Sequence, residues 1–293
     1  MLYDLRLRLN HHYAGHADGA RHVVHVAPLN IAGRQSVESL SLGSDPHAND
    51  RGDRLDYFGN PVTQFTHRAG HGAMQIEMRA RVRCSAGDAV MDTSPQLRDL
   101  PKAVAQYRVL DAAAPHHFLG PSARITLPDS VADYARALAS PDASVLRNVT
   151  TLGQALHRDM SFDSMATTVD TSLEDAFAHR HGVCQDFAHI MISGLRVLGI
   201  PARYVSGFLR TEPPEGQARL EGADAMHAWI SAWCGPSMGW VEFDPTNNVA
   251  ARTDHIVVGY GRDYADVAPI KGVLRASGMS NVGQAVDVAP VSV

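Results

Sequence analysis

The chain has 293 residues, 45% hydrophobic and 19% charged, which is enough for two domains with a core apiece and too apolar for extended disorder. Its formal net charge of -5 offers no basic field to a nucleic acid or an anionic membrane, so neither partner is expected. Three cysteines, Cys84, Cys184 and Cys234, are too few and too scattered for a disulfide framework, and at least one must be unpaired within the monomer.

Residues 1–90 have the period of strands and read as a first domain. Tyr3, Leu5, Leu7 and Leu9 face one way, with Asp4, Arg6 and Arg8 opposite, so the N-terminus is a strand rather than a signal peptide. The alternation returns in Met74, Ile76, Met78, Ala80 and Val82. Weaker strands lie around residues 22–26, 37–42 and 62–66, divided by Gly33, Asp45-Pro46 and Gly59-Asn60-Pro61. A small β-sandwich without a catalytic constellation is predicted, and its exposed strand edges suit a homodimer. No apolar run reaches membrane-spanning length, and a soluble cytoplasmic protein is expected.

Residues 91–293 form the second predicted domain, where apolar spacings of three and four take over. Pro128-Asp129-Ser130 before Val131, Tyr134, Ala135 and Leu138 reads as a capped helix, with Ser130 and Asp133 as its capping box. Val145, Val149, Leu152 and Leu156 mark a second helix. Thr171-Ser172-Leu173-Glu174 opens a third, with Thr171 capping and Glu174 reaching back. Phe187, Ile190, Met191, Gly194, Leu195 and Leu198 stripe a fourth that starts near Cys184 and ends at Gly199 and Pro201. Strand-like runs follow at 202–209, 228–234 and 239–243, with a polar loop at 211–222 expected to border the site. Residues 282–291 alternate weakly and read as a returning final strand.

Three residues carry the candidate chemistry: Cys184 at a helix start, His227 opening a strand, and Asp244 ending the next. A thiol at a helix N-terminus meets unpaired N–H groups and the positive end of the macrodipole, which favour thiolate and could hold an oxyanion. A histidine on a neighbouring strand can take the thiol proton and return it to a leaving amine, and a carboxylate can fix that ring. Taken singly each is ordinary: a buried cysteine, a strand histidine, an Asp-Pro turn. Their order on helix, strand and strand gives the set its weight. Sixteen histidines invite a zinc reading, with His189 and His227 joining Cys184, but no His-Glu-x-x-His or Cys-x-x-Cys accompanies them. No metal and no cofactor are expected, and the zinc hydrolase and a non-enzymatic binding module stay as alternatives.

Gly182-Val183-Cys184-Gln185-Asp186-Phe187-Ala188-His189, Met226-His227-Ala228-Trp229 and Phe243-Asp244-Pro245-Thr246 closely resemble the core motifs of the transglutaminase-like superfamily of papain-like Cys-His-Asp type. Asp56-Tyr57-Phe58-Gly59-Asn60 and residues 261–269 resemble a bacterial subgroup whose core follows an N-terminal β-domain. The resemblance implies an α+β fold, in which a β-sandwich precedes a papain-like core of helices and antiparallel sheet. It also implies a thiol-dependent peptidase or amidase acting through Cys184, His227 and Asp244, with protein-glutamine transglutaminase chemistry as the alternative. A peptide or small amide is the implied substrate, and a functional link to an ATP-grasp-type ligase the implied association. Further residues weighed for the site are Gln154 and His157 as oxyanion donors, Trp229 and Trp240 packing around the imidazole, Asp186 as a first-turn acid, and Asp263 with Tyr264 as either cleft residues or a structural turn.

Overall fold

The computed structural model describes residues 1–86, 91–168, 170–211, 222, 224–276 and 280–291. Five strands come first: β1 (Leu2–Val24), β2 (Gln35–Asp45), β3 (Asp50–Leu55), β4 (Pro61–His67) and β5 (His71–Cys84). Four helices follow, α1 (Leu100–Gln106), α2 (Asp129–Leu138), α3 (Val145–Asp159) and α4 (Leu173–His179). The short parallel pair β6 (Ser161–Phe162) and β7 (His181–Gly182) leads into α5 (Cys184–Val197). Then come β8 (Ala202–Leu209), β9 (Met226–Trp233), β10 (Trp240–Asp244), β11 (Val249–Ala250), β12 (His255–Gly261), α6 (Tyr264–Val267), β13 (Ile270–Ala276) and β14 (Ser280–Pro290). Among the described residues, no helix is long and apolar enough to cross a membrane.

The fold is α+β, as expected, and among the described residues its N-terminal part is one seven-stranded antiparallel sheet organised on β1. The first half of β1 lies between β5 and β14, and its second half between β4 and β13. The sheet therefore draws strands from both ends of the chain instead of closing at residue 90. The weak alternation at 282–291 is the reason: Val286 and Val288 are fully buried and join Tyr3, Leu5, Leu7, Ile76 and Met78 in one core.

The second sheet is antiparallel, in the order β11-β10-β9-β8-β12. Helix α5 packs on β8 and β9, and α2, α3 and α4 pack on α5. Phe187, Ile190, Met191 and Leu195, the predicted stripe, are buried with Leu152, Leu156, Ile230 and Phe243. Gly199 closes the helix in the left-handed region at φ +75°. Two predicted caps are displaced. Helix α2 starts at Asp129 with no side-chain cap on its N-cap Pro128, and Ser130 lies inside it. In α4 it is Ser172 that caps, its Oγ accepting from Asp175 N at 3.1 Å, while Thr171 Oγ1 accepts from Thr168 N.

The two sheets meet along β12, an edge strand. Gln35 and Asn60, both buried, use their amides as peptide groups against it. Val257 N–H donates to Gln35 Oε1 and Gln35 Nε2 donates back to Val257 O, both at 2.8 Å. Tyr260 N–H and O make the same reciprocal pair with Asn60, again at 2.8 Å. Arg34 adds a two-pronged bond to Glu242, at 2.6 and 2.7 Å. These bonds fix the β-unit against the sheet that carries the candidate site.

Candidate active site

Cys184 is the first residue of α5, after Val183 in extended conformation. Asp186 builds this start: its Oδ2 accepts from Val183 N at 2.8 Å and from Thr167 Oγ1 at 2.6 Å. A Cβ on Gly182 would stand 2.5 Å from that oxygen, so only glycine lets the loop pass so close. Burial raises the Asp186 carboxyl, against the two hydrogen bonds that favour its charge. Asp186 is therefore the first-turn acid of the helix, as the sequence suggested.

His227 is the second residue of β9, and Asp244 the last of β10. His227 Nε2 donates to Asp244 Oδ2 at 2.8 Å, and the Cys184 side chain is close enough to raise the basicity of the ring. Helix α5, β9 and β10 thus bring the three sequence-predicted residues together. Burial alone would lower the His227 pKa. The charge of Cys184 and the hydrogen bond to Asp244 overcome it, and the imidazolium is pushed up to about 10.

Asp244 is fully buried yet receives five donors. Thr246 N and Asn247 N reach Oδ1 at 2.9 and 3.2 Å. His227, Asn247 Nδ2 at 2.7 Å and His255 Nε2 at 3.1 Å reach Oδ2. Burial opposes ionisation, but these donors hold the carboxylate well below its usual range. His255 and Asn247 escaped the sequence reading. The first opens β12, whose non-local pairing with β8 delivers it; the second lies in the turn Asp244-Pro245-Thr246-Asn247 and was legible there as a side chain able to fold back. His255 Nδ1 accepts from Arg252 N at 3.4 Å, which leaves Nε2–H for the carboxylate.

Other expectations divide. Trp229 stacks beside His227 with ring centroids 6.0 Å apart, and its edge meets His255 at 5.1 Å. Trp240 instead donates to Ala113 O at 3.0 Å and packs on Phe118. Asp263 is a structural turn residue: it accepts from Ala265 N at 2.7 Å and Arg124 N at 2.8 Å and caps α6. Tyr264 N–H donates to His189 Nε2 at 3.2 Å. His157 donates to Thr246 O at 2.9 Å, beside the Asp244 turn, whereas Gln154 faces solvent. Most of the 211–222 loop lies outside the described residues. The clustered metal-type ligands among the described residues are His227, Asp244 and His255, without His189 or Cys184, and their N–H···O bonds account for their closeness.

Residues 132–245 match the family model described as the transglutaminase-like superfamily, and residues 3–83 match that of the bacterial transglutaminase-like N-terminal region. An uncharacterized protein of Mycobacterium tuberculosis is 34% identical over 269 residues, covering 88% of this chain and 83% of its own. A protein-glutamine gamma-glutamyltransferase of Pseudomonas aeruginosa is 40% identical over 86 residues, 29% of this chain and 13% of that protein. Among solved structures, a proposed cysteine protease from Cytophaga hutchinsonii shares the fold with a TM-score of 0.77 at 20% identity, over 100% of this chain and 91% of that one.

Proposed function

The chain belongs to the transglutaminase-like superfamily, and on that premise we propose that it hydrolyses amide bonds in a peptide or small amide through a thioester on Cys184. The observation that carries this reading is His227, hydrogen-bonded to the buried Asp244 and raised in basicity by Cys184 at the start of α5. The Cys184 sulfur attacks the carbonyl carbon, a C–S bond forms, and the carbonyl electron pair moves to oxygen, facing the N–H groups at the start of α5. As the pair returns, the C–N bond breaks and the His227 proton leaves with the amine. Water then attacks the thioester with His227 as base, releasing a carboxylic acid and restoring the thiol.

Asp244 keeps the ring oriented and stabilises its charge throughout. Cys84 and Cys234 are poorly suited to the role. Both are buried, and burial pushes their thiols up to about 11 and about 12, whereas Cys184 is partly exposed. Three unpaired thiols also suit the reducing cytoplasm, the compartment this reading keeps.

A second reading, transfer of the acyl group to an amine, is supported by the 86-residue match to the Pseudomonas enzyme. Both share the thioester. The test is to alkylate the protein with a limiting dose of iodoacetamide, identify the modified cysteine by mass spectrometry, and screen γ-glutamyl and α-linked peptides with and without a primary amine. Labelling at Cys184 together with free acid as product is expected; an amide product with added amine selects transfer, and faster labelling at Cys84 or Cys234 refutes both.

A further inference from the structure

The apolar stripe of β1 does not stop at Leu9: the two-residue period carries it into His11 and Tyr13, both 9% exposed. His22 sits in phase with Val24 and Val26, and His67 with Phe65 on β4; each is 2% exposed. His71, the first residue of β5, is 8% exposed. His11, His22, His67 and Tyr13 thus stand where alternation calls for apolar side chains, and His71, out of phase with Met74 and Ile76, is buried beside them around the part of β1 where its register with β5 shifts. Their rings close a loop. Centroid separations are 6.2 Å for His11–His22, 6.2 Å for His22–His67, 5.2 Å for His67–His71, 5.6 Å for His71–Tyr13 and 6.4 Å for Tyr13–His11. On β13 the residue opposite His22 is Gly272, where a Cβ would come within 2.5 Å of the imidazole.

The hydrogen bonds of this chamber leave lone pairs inside it. His67 Nε2 lies 3.0 Å from Pro46 O, which can only accept, so Nε2 carries the hydrogen and Nδ1 a lone pair. By the same argument His71 Nδ1 donates to Ala69 O at 3.2 Å and Nε2 is bare. Both bare nitrogens are buried without a partner, as are His11 Nε2, His22 Nδ1 and the Tyr13 hydroxyl. Burial, with repulsion from neighbouring rings, lowers the pKa of His11 and takes His22 to about 4; burial likewise lowers His67, so these rings are neutral at pH 7. Buried polar atoms left unpaired are costly, and so many together call for a guest.

We propose that the chamber binds one borderline transition-metal dication of the zinc type through His22 Nδ1, His67 Nδ1 and His71 Nε2, with His11 and Tyr13 beside it. Neutral imidazoles select zinc, cobalt or nickel over magnesium or calcium, and the backbone carbonyls on His67 and His71 are the outer partners that ligating histidines use. As the rings stand, no three of these nitrogens lie within 4.8 Å of one another, so loading turns the rings inward. The 5.2 Å between His67 and His71 already fits the separation of about 5 Å that two imidazoles keep on one tetrahedral ion with bonds of ~2.0 Å. Such an ion would staple β1, β4 and β5 where side-chain packing is polar, and it is independent of the chemistry at Cys184.

The test uses the full chain, stripped with chelator and fully alkylated at Cys184, titrated with Co2+ and followed by visible absorption and thermal melting. One equivalent bound is expected, with ligand-field bands, no sulfur-to-cobalt charge transfer, and a raised Tm. His67→Gln and His71→Gln should each weaken binding by about tenfold or more. No binding to the alkylated protein would leave the chamber to water and overturn the proposal. Binding only before alkylation would place the ion at Cys184 and overturn it equally, as would unchanged affinity in both variants. If the variants fail to fold, imidazole NMR of the wild type decides: Co2+ must perturb His22, His67 and His71, and an effect confined to His227 and His255 sinks the idea.

Discussion

His227 and His22 are both largely withdrawn from water, and folding drives their basicity in opposite directions. The first, on β9, is pushed up to about 10; the second, on β1, falls to about 4. Burial works against the charged form of each. What differs is the company: His227 has Cys184 and Asp244, whereas His22 is surrounded by His11, His67 and His71, whose charges oppose its own. The same side chain becomes a held cation in one sheet and a neutral base in the other. Partners, more than depth, decide what a buried histidine does.

The comparison breaks first at the nucleophile. Cys184→Ala should abolish turnover of any verified amide substrate while Tm stays near that of the wild type, since the side chain is only partly buried. Residual activity in that variant would end the mechanism. Next in size is Asp244→Asn, which should lower kcat by roughly four orders of magnitude because the carboxylate no longer fixes the ring or its charge. An effect below tenfold would mean that His227 is oriented by something else.

The pH dependence tests both histidines at once. His227 has its folded pKa raised above 6.5, so its stabilisation is complete below 6.5 and lost as pH rises through about 10. Amide turnover should fall along the same alkaline limb, because an unprotonated ring cannot supply the leaving amine. His22 has its folded pKa depressed, so its contribution is complete above 6.5 and lost as pH falls towards 4. Denaturant melts should record up to about 3 kcal/mol of acid destabilisation from this group, and His22→Phe should flatten that slope. A slope unchanged in a folded His22→Phe would assign acid sensitivity elsewhere.

The smallest expected effect belongs to His255. His255→Leu should lower kcat by about tenfold at nearly constant KM and move the alkaline limb upwards, since Asp244 with one donor fewer holds the His227 proton more tightly. Unchanged pH behaviour would reduce His255 to packing against Trp229.

Cys184 was legible in the sequence because a helix start, an apolar stripe and a terminal Gly199 frame it locally. His227 and Asp244 were legible because strand ends next to turns are visible in a single chain. His255 was not, since only the pairing of β12 with β8 brings it to Asp244, and long-range pairing leaves no local signature. The capping of α4 shifted from Thr171 to Ser172 because both residues can cap and the first turn chose between them. His11 and His22 of β1 and His67 of β4 stood in core phase from the start. Histidine is ordinarily polar, but the period that carried Leu9 inward carried His11 with it.

Gln35 and Asn60 give the seam along β12 a further property. They meet backbone groups of Val257 and Tyr260, three residues apart and on either side of the irregularity between Val257 and Gly259. A β12 paired one residue out of place would turn the wrong backbone groups towards both amides and reverse its inward side chains. Docking of the β-unit therefore proofreads the register of the strand that bears His255. An error in folding at one sheet is rejected by the other before the Asp244 pocket is complete.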